Sequence, residues 1–273
     1  MSQWLKGLVT GALLAAGVTL AATGPWSRAA GASFSRMPDG HPNLNGIWAA
    51  SNTANWNIET HAASQGPITA LGAAFSVPGG LGVVQGGEIP YKLEARARRD
   101  ANGKNWMAND PEVKCYLPGV PRATYMPYPF QIVQSTAPND MLITYEFASA
   151  SRIVHMSNPQ EAPVDSWMGW SNGRWDGDTL VVDVTSFVDQ TWFDRAGNYH
   201  SGALHVVERY TPIGPDVIQY DATIEDPNVF TRAWTMRMPL YRRAETNARL
   251  MEYKCVELAE ELMYGHLSKG AKP

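Results

Sequence analysis

The feature that most constrains the fold is a series of short runs rich in β-branched and aromatic residues, separated by turn residues. The clearest run is VIQYDATIE at residues 217–225, in which Ile218, Tyr220, Ala222 and Ile224 alternate with polar side chains. Such alternation indicates a β-strand with one face in a core and the other in water. Comparable runs give roughly eight to ten strands with little helix, which predicts an all-β sandwich or barrel.

The other candidate strands have the same composition, and several are separated by hairpin distances. Two short helices are also predicted: one opens at Pro90 and stops at Asn102 and Gly103, and the other is ELAEELMYG at residues 257–265. The remaining strands are FQIVQ at 130–134, MLITYEF at 141–147, RIVHM at 152–156, TLVVDV at 179–184, ALHVVERYT at 203–211, FTRAWTMRM at 230–238 and LMEYKCV at 250–256.

The N-terminus has the pattern of a secretory signal peptide: one Lys, a Gly-interrupted apolar run, then small residues and a Pro. The run is too short and too poor in large apolar side chains to predict a permanent membrane span. We assign residues 1–30 to a signal peptide, residues 31–110 to an N-terminal arm with a short helix, and residues 111–273 to the β-domain. The protein is therefore predicted to be periplasmic or secreted.

The two cysteines, Cys115 and Cys255, are interpreted in the light of this export prediction. An even number of cysteines in an oxidising compartment favours one disulfide over two free thiols. A bridge between them would link the start of the β-domain to its end.

Charge and motif content argue against several function classes. The formal net charge is −4, whereas nucleic-acid affinity depends largely on clustered Lys and Arg, so no nucleic-acid partner is predicted. No GxGxxG follows a candidate strand and no P-loop is present, so we predict no cofactor. A metal site from His200, His205 and Glu208 would need a bend, because the histidine spacing places them on opposite faces of a strand. We predict none.

Four sequence blocks resemble a large group of exported bacterial proteins, mostly of unassigned function. They are GRWDGDTLVVDV at 173–184, HSGALHVVERY at 200–210, TIEDP at 223–227 and EYKCVE at 252–257. The resemblance covers roughly residues 115–257 and implies a lipocalin-like, or calycin-like, antiparallel barrel with a cavity, but no particular activity. This chain has SNPQEAP at 157–163, where the group is expected to have a basic residue and a His-Pro.

Apolar and aromatic side chains are available to line the interior of such a barrel. A flat, aromatic or terpenoid molecule would suit this wall, although each of these residues could also simply fill a core. The candidate ligand-binding residues are Tyr145, Phe147, Trp175, Trp192, Tyr220, Trp234, Met236 and Tyr253.

Titratable groups cluster just before and within ALHVVERYT. Alternation places Glu208 on the more apolar face, where burial would disfavour its charge and suit it to acid or base chemistry; an ion pair with an Arg of a neighbouring strand is the alternative. His200 follows Asp194 in a turn and could shuttle protons. The candidate catalytic residues are Glu208, His200, Asp194, Arg209, Tyr210 and His155.

These residues lead to three hypotheses. The first is an exported, cofactor-independent enzyme that performs lyase, isomerase or dehydratase chemistry on a hydrophobic, aromatic small molecule. In it, Glu208 or Asp194 is the acid or base, His200 is the shuttle, and Arg209 or Tyr210 stabilises an oxyanion. The second is a non-catalytic periplasmic carrier of hydrophobic compounds. The third, an envelope structural or assembly protein, predicts a filled barrel.

Overall fold

Nine strands form a closed barrel in the computed structural model, which describes residues 33–269. The prediction of an all-β barrel with eight to ten strands is thereby confirmed, whereas the predicted signal peptide lies outside the described residues. The strands are β1 (Gly46–Ala50), β2 (Phe130–Val133), β3 (Met141–Tyr145), β4 (Ser151–His155), β5 (Trp170–Asp176), β6 (Thr179–Thr185), β7 (His205–Gly214), β8 (Val217–Glu225) and β9 (Trp234–Arg242).

Each strand pairs with the next one along the chain, and β1 closes the ring by pairing with β9. The pairs are antiparallel except for β4 and β5, which run parallel and are joined by the crossing segment 157–169. β1 lies within residues 31–110, the segment that the sequence assigned to an N-terminal arm, and so part of that segment belongs to the barrel wall.

Strand register brings the inward side chains of β6 to β9 into three layers. Val184, Val206, Ile224 and Trp234 form the first layer, and Leu180, Tyr210, Tyr220 and Met238 form the third. The layer between them consists of Val182, Glu208, Ala222 and Met236. All of these side chains are buried, as the alternation in VIQYDATIE and ALHVVERYT predicts.

One end of the barrel is covered by loops and by the N-terminal arm; we call it the covered end. There β6 and β8 finish, β7 and β9 begin, and the β6–β7 loop (residues 186–204) folds over the opening. From here on, residues 51–92 are called the arm. The arm extends the free edge of β9: Gln85 N–H donates to Thr235 O, and Arg237 N–H donates to Val83 O, each over 2.8 Å. The arm is thus a packed cover rather than a loose strand.

The helices are short and lie outside the barrel wall. They are α1 (Leu93–Lys104), α2 (Trp106–Asn109), α3 (Arg122–Tyr125) and α4 (Ala259–Lys269), with 3-10 turns at Thr69–Phe75 and Phe147–Ser149. All four residues of α3 are buried, and the Tyr125 hydroxyl donates to the carbonyl of Phe193 in the β6–β7 loop over 2.7 Å. Among residues 33–269, no helix combines the length and hydropathy needed to cross a bilayer.

A disulfide joins Cys115 to Cys255, as predicted from the cysteine count. The segment that contains Cys255 is not a strand, however, although LMEYKCV has an alternating pattern; residues 251–256 have no regular structure. β1 pairs with the end of β9, and the arm occupies the remaining edge of β9 through Val83 and Gln85, so no wall strand pairs with this segment. The disulfide instead anchors it, and Leu258 N–H donates to Val113 O over 2.7 Å.

Candidate functional site

Arg152 and Glu208 form an ion pair inside the barrel. Arg152 lies on β4 and Glu208 on β7, and at most 2% of either side chain is exposed. Nη1 of Arg152 is 2.5 Å from Oε2 of Glu208, and Nη2 is 3.0 Å from Oε1, so two parallel hydrogen bonds join the groups. The sequence left open whether Glu208 is ion-paired, and the structure shows that it is, with an Arg from a strand that is not its neighbour.

Tyrosine hydroxyls surround this pair. Tyr210 and Tyr220 donate to Oε1 of Glu208 over 2.9 and 2.7 Å, and Nε of Arg152 donates to the Tyr145 hydroxyl over 3.1 Å. Ser171 Oγ accepts a further bond from the guanidinium. We call these six residues the polar centre: Tyr145, Arg152, Ser171, Glu208, Tyr210 and Tyr220.

The protonation of the polar centre follows from its burial. Burial raises the pKa of Tyr145, Tyr210 and Tyr220, so their hydroxyls keep their protons, and those of Tyr210 and Tyr220 donate to Glu208. Burial alone would lower the pKa of Arg152, but the charge of Glu208 outweighs it and holds that pKa well above its ordinary value. The guanidinium is therefore always charged.

Four of the predicted ligand-binding residues lie inside the barrel: Tyr145, Tyr220, Trp234 and Met236. Their neighbours on the inner face are also buried, so the interior is filled by the chain's own side chains. The cavity that the resemblance implies is not found at these residues. Trp234 is 3% exposed, and its indole Nε1 has no hydrogen-bond partner among the described residues.

The other four predicted ligand-binding residues do not line the middle of the barrel. Trp175 lies at the end opposite the covered one, where its ring stacks on His41 at 4.6 Å. Phe147 and Tyr253 pack against each other, with ring centres 5.0 Å apart, outside the strands. Trp192 belongs to the β6–β7 loop and forms an isolated bridge with Tyr199. Alternation could not predict these positions, because none of the last three is in a strand.

Asp194 is buried and linked to the arm. Its Oδ2 accepts from Ile58 N–H over 2.9 Å and from Asn198 Nδ2 over 2.6 Å, and its Oδ1 accepts from Asn198 N–H over 3.1 Å. Burial raises the pKa of Asp194 to about 6, because these bonds only partly offset the loss of water. Its carboxylate joins the arm to the β6–β7 loop.

His200 is also buried, and its partners are local. Nδ1 lies 2.8 Å from the Ser201 carbonyl oxygen, to which it donates, so Nε2 accepts from the Thr191 hydroxyl over 2.5 Å. Burial lowers the pKa of His200, which favours the neutral ring. Within the described residues, no hydrogen bond joins His200 to Asp194 or Glu208. Asp194, His200 and Glu208 therefore do not form one hydrogen-bonded group.

The last two predicted catalytic residues lie on the outer surface. Arg209 Nη2 donates to Asp176 over 2.8 Å, and both side chains are largely exposed. His155 Nδ1 is 3.0 Å from Asp140, and its ring stacks on Trp170. Neither residue can contribute to the polar centre from these positions.

Two open pockets lie outside the barrel. One, of about 250 Å³, is lined by the β8–β9 loop with Lys92. The other, of about 200 Å³, is lined by the arm, Trp106 and Arg195. Neither pocket includes a residue of the polar centre. Within residues 33–269, no group of three or more His, Cys, Asp or Glu side chains has a geometry suited to a metal ion.

Comparison of the chain with protein-family models, curated proteins and solved structures finds no match. The resemblance to exported lipocalin-like proteins therefore stays a prediction.

Sequence reasoning missed Arg152, the partner of Glu208. In RIVHM, Ile153 is a better core residue than Arg152 by hydropathy, yet Ile153 is 52% exposed and Arg152 is buried. The position of Val154 could have indicated that Arg152 is buried. The two residues share one face of the strand, and Val154 is fully buried. A buried carboxylate is usually paired with a cation, so an inward-facing Arg on another strand is a natural partner to look for.

Proposed function

We propose that this protein is an exported enzyme that needs no cofactor and transfers a proton on a small, hydrophobic, aromatic molecule at the polar centre. The observation that carries this proposal is the convergence of one carboxylate, one guanidinium and three tyrosine hydroxyls in the middle of an otherwise apolar barrel. The disulfide Cys115–Cys255 supports export, because such bonds persist in oxidising compartments.

The protonation of these groups suggests their roles. Arg152, Tyr210 and Tyr220 carry protons and can stabilise negative charge that develops on a substrate oxygen. Glu208 is the one carboxylate of the polar centre and hence its proton acceptor. This pairing of a base with hydroxyl donors suits lyase, isomerase or dehydratase chemistry next to a carbonyl group.

The energetics of the interior also support a role beyond packing. A buried ion pair costs several kcal/mol of desolvation per ion, and apolar residues of similar volume are often equally stable or more so. The indole N–H of Trp234 is an additional buried group without a partner in residues 33–269, and such groups usually cost about 1–3 kcal/mol. A ligand oxygen could accept a hydrogen bond from it.

Substrate access must change the bonding of Glu208. Its oxygens accept four hydrogen bonds from protein groups, two from Arg152 and one each from Tyr210 and Tyr220. A substrate oxygen would replace one tyrosine hydroxyl, and entry requires movement of the arm or the β6–β7 loop. Both segments lie at the covered end.

Hydrogen–deuterium exchange into a carbonyl compound tests this proposal without the natural substrate. We expect the protein to accelerate deuterium incorporation next to the carbonyl of 2-tetralone or 1-indanone in D₂O, followed by proton NMR. Glu208→Gln should abolish the acceleration, and Tyr220→Phe should reduce it about 10-fold to 100-fold. Arg209→Gln, which changes the adjacent outward residue, is the matched control and should match the wild type.

Two results would contradict the enzyme proposal: no acceleration by the wild-type protein, or equal acceleration by folded Glu208→Gln protein. The second candidate is a non-catalytic carrier, which the full hydrogen bonding of Glu208 favours, because such a carboxylate can bind without reacting. Native mass spectrometry of the purified protein distinguishes the two. An unmodified bound compound without exchange activity would support the carrier.

A further inference from the structure

The pocket of about 200 Å³ outside the barrel has features of a small-molecule site. It lies where three segments that are distant in sequence meet: the arm, α2 and the β6–β7 loop. Its walls include Trp56, Asn57, His61, Val77, Trp106 and Arg195. Concave surfaces lined mainly by apolar and aromatic groups, with a few polar donors, are typical of ligand sites.

Two tryptophans and an arginine form the aromatic wall. The rings of Trp56 and Trp106 meet edge to face, with centroids 5.7 Å apart at 87°. The guanidinium of Arg195 lies 4.8 Å from the Trp56 ring and 4.5 Å from the Trp106 ring. Trp106 is buried, whereas Trp56 is half-buried and remains accessible from the pocket. Of the two indoles, Trp56 is therefore the one that a ligand in the pocket can reach.

Two acids, the buried Glu112 and the half-buried Glu260, bind Nε and Nη2 of Arg195 and leave Nη1 without either of them. Nε and Nη2 donate to Glu112 over 2.8 and 2.9 Å, and Nη2 also donates to Glu260 over 3.1 Å. Among the described residues, no hydrogen bond uses Nη1 of Arg195 or Nδ2 of Asn57. Both atoms are N–H donors on pocket-lining residues.

The wall formed by the arm is built before any ligand binds. The ring nitrogens of His61 lie 2.8 Å from Glu59 O and 3.0 Å from Pro78 O, and the ring thus spans two sides of the arm. Backbone bridges between His61 and Gly80 and between Ser64 and Val77 hold the same two sides together. A pocket formed in advance loses less affinity to ordering of its own chain.

We propose that this outer pocket binds a small, planar, uncharged aromatic molecule that carries a hydrogen-bond acceptor oxygen. The ring would stack on Trp56, and the oxygen would accept from Arg195 Nη1 or Asn57 Nδ2. An anion is disfavoured because Glu112 and Glu260 already neutralise Arg195. This site is distinct from the polar centre and does not depend on the proposed enzyme activity.

Titration with 4-hydroxyacetophenone, followed by tryptophan fluorescence and by isothermal calorimetry, tests this site. We expect saturable binding that weakens at least 10-fold in Trp56→Ala and is largely kept in Trp56→Phe, which retains a ring. Trp175→Ala, at the opposite end of the barrel, should bind as the wild type does.

Two outcomes would overturn the site. They are the absence of saturable binding at millimolar probe and equal affinity in Trp56→Ala and wild-type protein.

Discussion

Arg152 on β4 and Glu208 on β7 bond to each other across the barrel interior, although β5 and β6 lie between their strands in the wall. Because both groups are buried, loss of one partner leaves the other charged and unpaired. We expect Arg152→Leu to lower the free energy of unfolding by about 3–5 kcal/mol. Urea denaturation at neutral pH measures this loss.

The double variant Arg152→Leu with Glu208→Leu should be more stable than Arg152→Leu alone, because it removes the unpaired charge as well. Arg209→Leu is the control: its partner Asp176 is exposed, and such surface pairs contribute about 0–1 kcal/mol. If Arg152→Leu lowers the free energy of unfolding no more than Arg209→Leu does, the buried Arg152–Glu208 pair does not contribute to stability as inferred here.

Asp194 makes stability fall with rising pH. The pKa of this carboxyl is about 6 in the folded protein and 3.8 ordinarily, so between these values the folded state binds more protons than the unfolded one. Stability from this group is complete below the ordinary pKa and is lost as pH rises through about 6. We expect a loss of about 2 kcal/mol from pH 4 to pH 7 relative to Asp194→Asn, measured by urea denaturation.

The comparison with Asp194→Asn is needed because His200 has the opposite effect. Its pKa is lowered by burial, so stability from that group rises as pH increases toward the ordinary histidine value of 6.5. Both proteins contain His200, and the difference between their curves removes its contribution. Parallel curves for the two proteins would exclude the raised pKa of Asp194.

The disulfide should contribute strongly to stability because it closes a long loop. Cys115 and Cys255 are 140 residues apart, and chain-entropy reasoning gives about 5 kcal/mol for such a loop. We expect the double variant Cys115→Ser with Cys255→Ser to lose about this much in urea denaturation. Hydrogen exchange should increase in α4, which follows Cys255. An unchanged urea midpoint would contradict this expectation.

Gly82 and Gly86 offer a matched test of the packing of the arm. Both have positive φ, +76° and +85°, but a Cβ on Gly82 would lie 2.6 Å from Thr60 N, whereas a Cβ on Gly86 meets nothing within 4 Å. Gly86→Ala should therefore cost about 1–2 kcal/mol, for backbone conformation alone.

Gly82→Ala should cost about 2–5 kcal/mol, because steric overlap adds to the conformational term. Faster hydrogen exchange at Val83 and Gln85, whose amides donate to Ile58 O and Thr235 O, would accompany the loss. Equal stability and exchange in the two alanine variants would show that the arm is not closely packed at Gly82.

The barrel was predictable because its longest strands alternate strictly. Ile218 to Ile224 point inward at every second residue, and the same rule placed Glu208 and Tyr210 on the inner face. Alternation gives the face of a side chain but not its partner across the interior. Glu208 and Arg152 meet only because the sheet closes into a barrel, and a local sequence pattern does not predict which strands face each other across it.

Predictions for the loops were less accurate, because loops have no period. Asp194 and His200 are six residues apart and share one loop, but each forms hydrogen bonds with separate groups, and the amide of Ile58 in the arm is one of them. Trp56 and Trp106 are 50 residues apart and meet only because the arm and α2 pack together. Composition drew attention to the many tryptophans without indicating that two of them would form a pocket.

The parallel pair β4–β5 follows from parity: strands that alternate in direction around a closed ring must be even in number, and a ring of nine therefore needs one pair running the same way. One connection must therefore run from one end of the barrel to the other without forming a strand of the wall. Segment 157–169 is this connection. Near its end, Ser166 N–H donates to Ser186 O, and Val188 N–H donates to Ser166 O. Because the number of strands is odd, the barrel has a crossing connection, and this connection supports the β6–β7 loop, which contains Thr191 and His200.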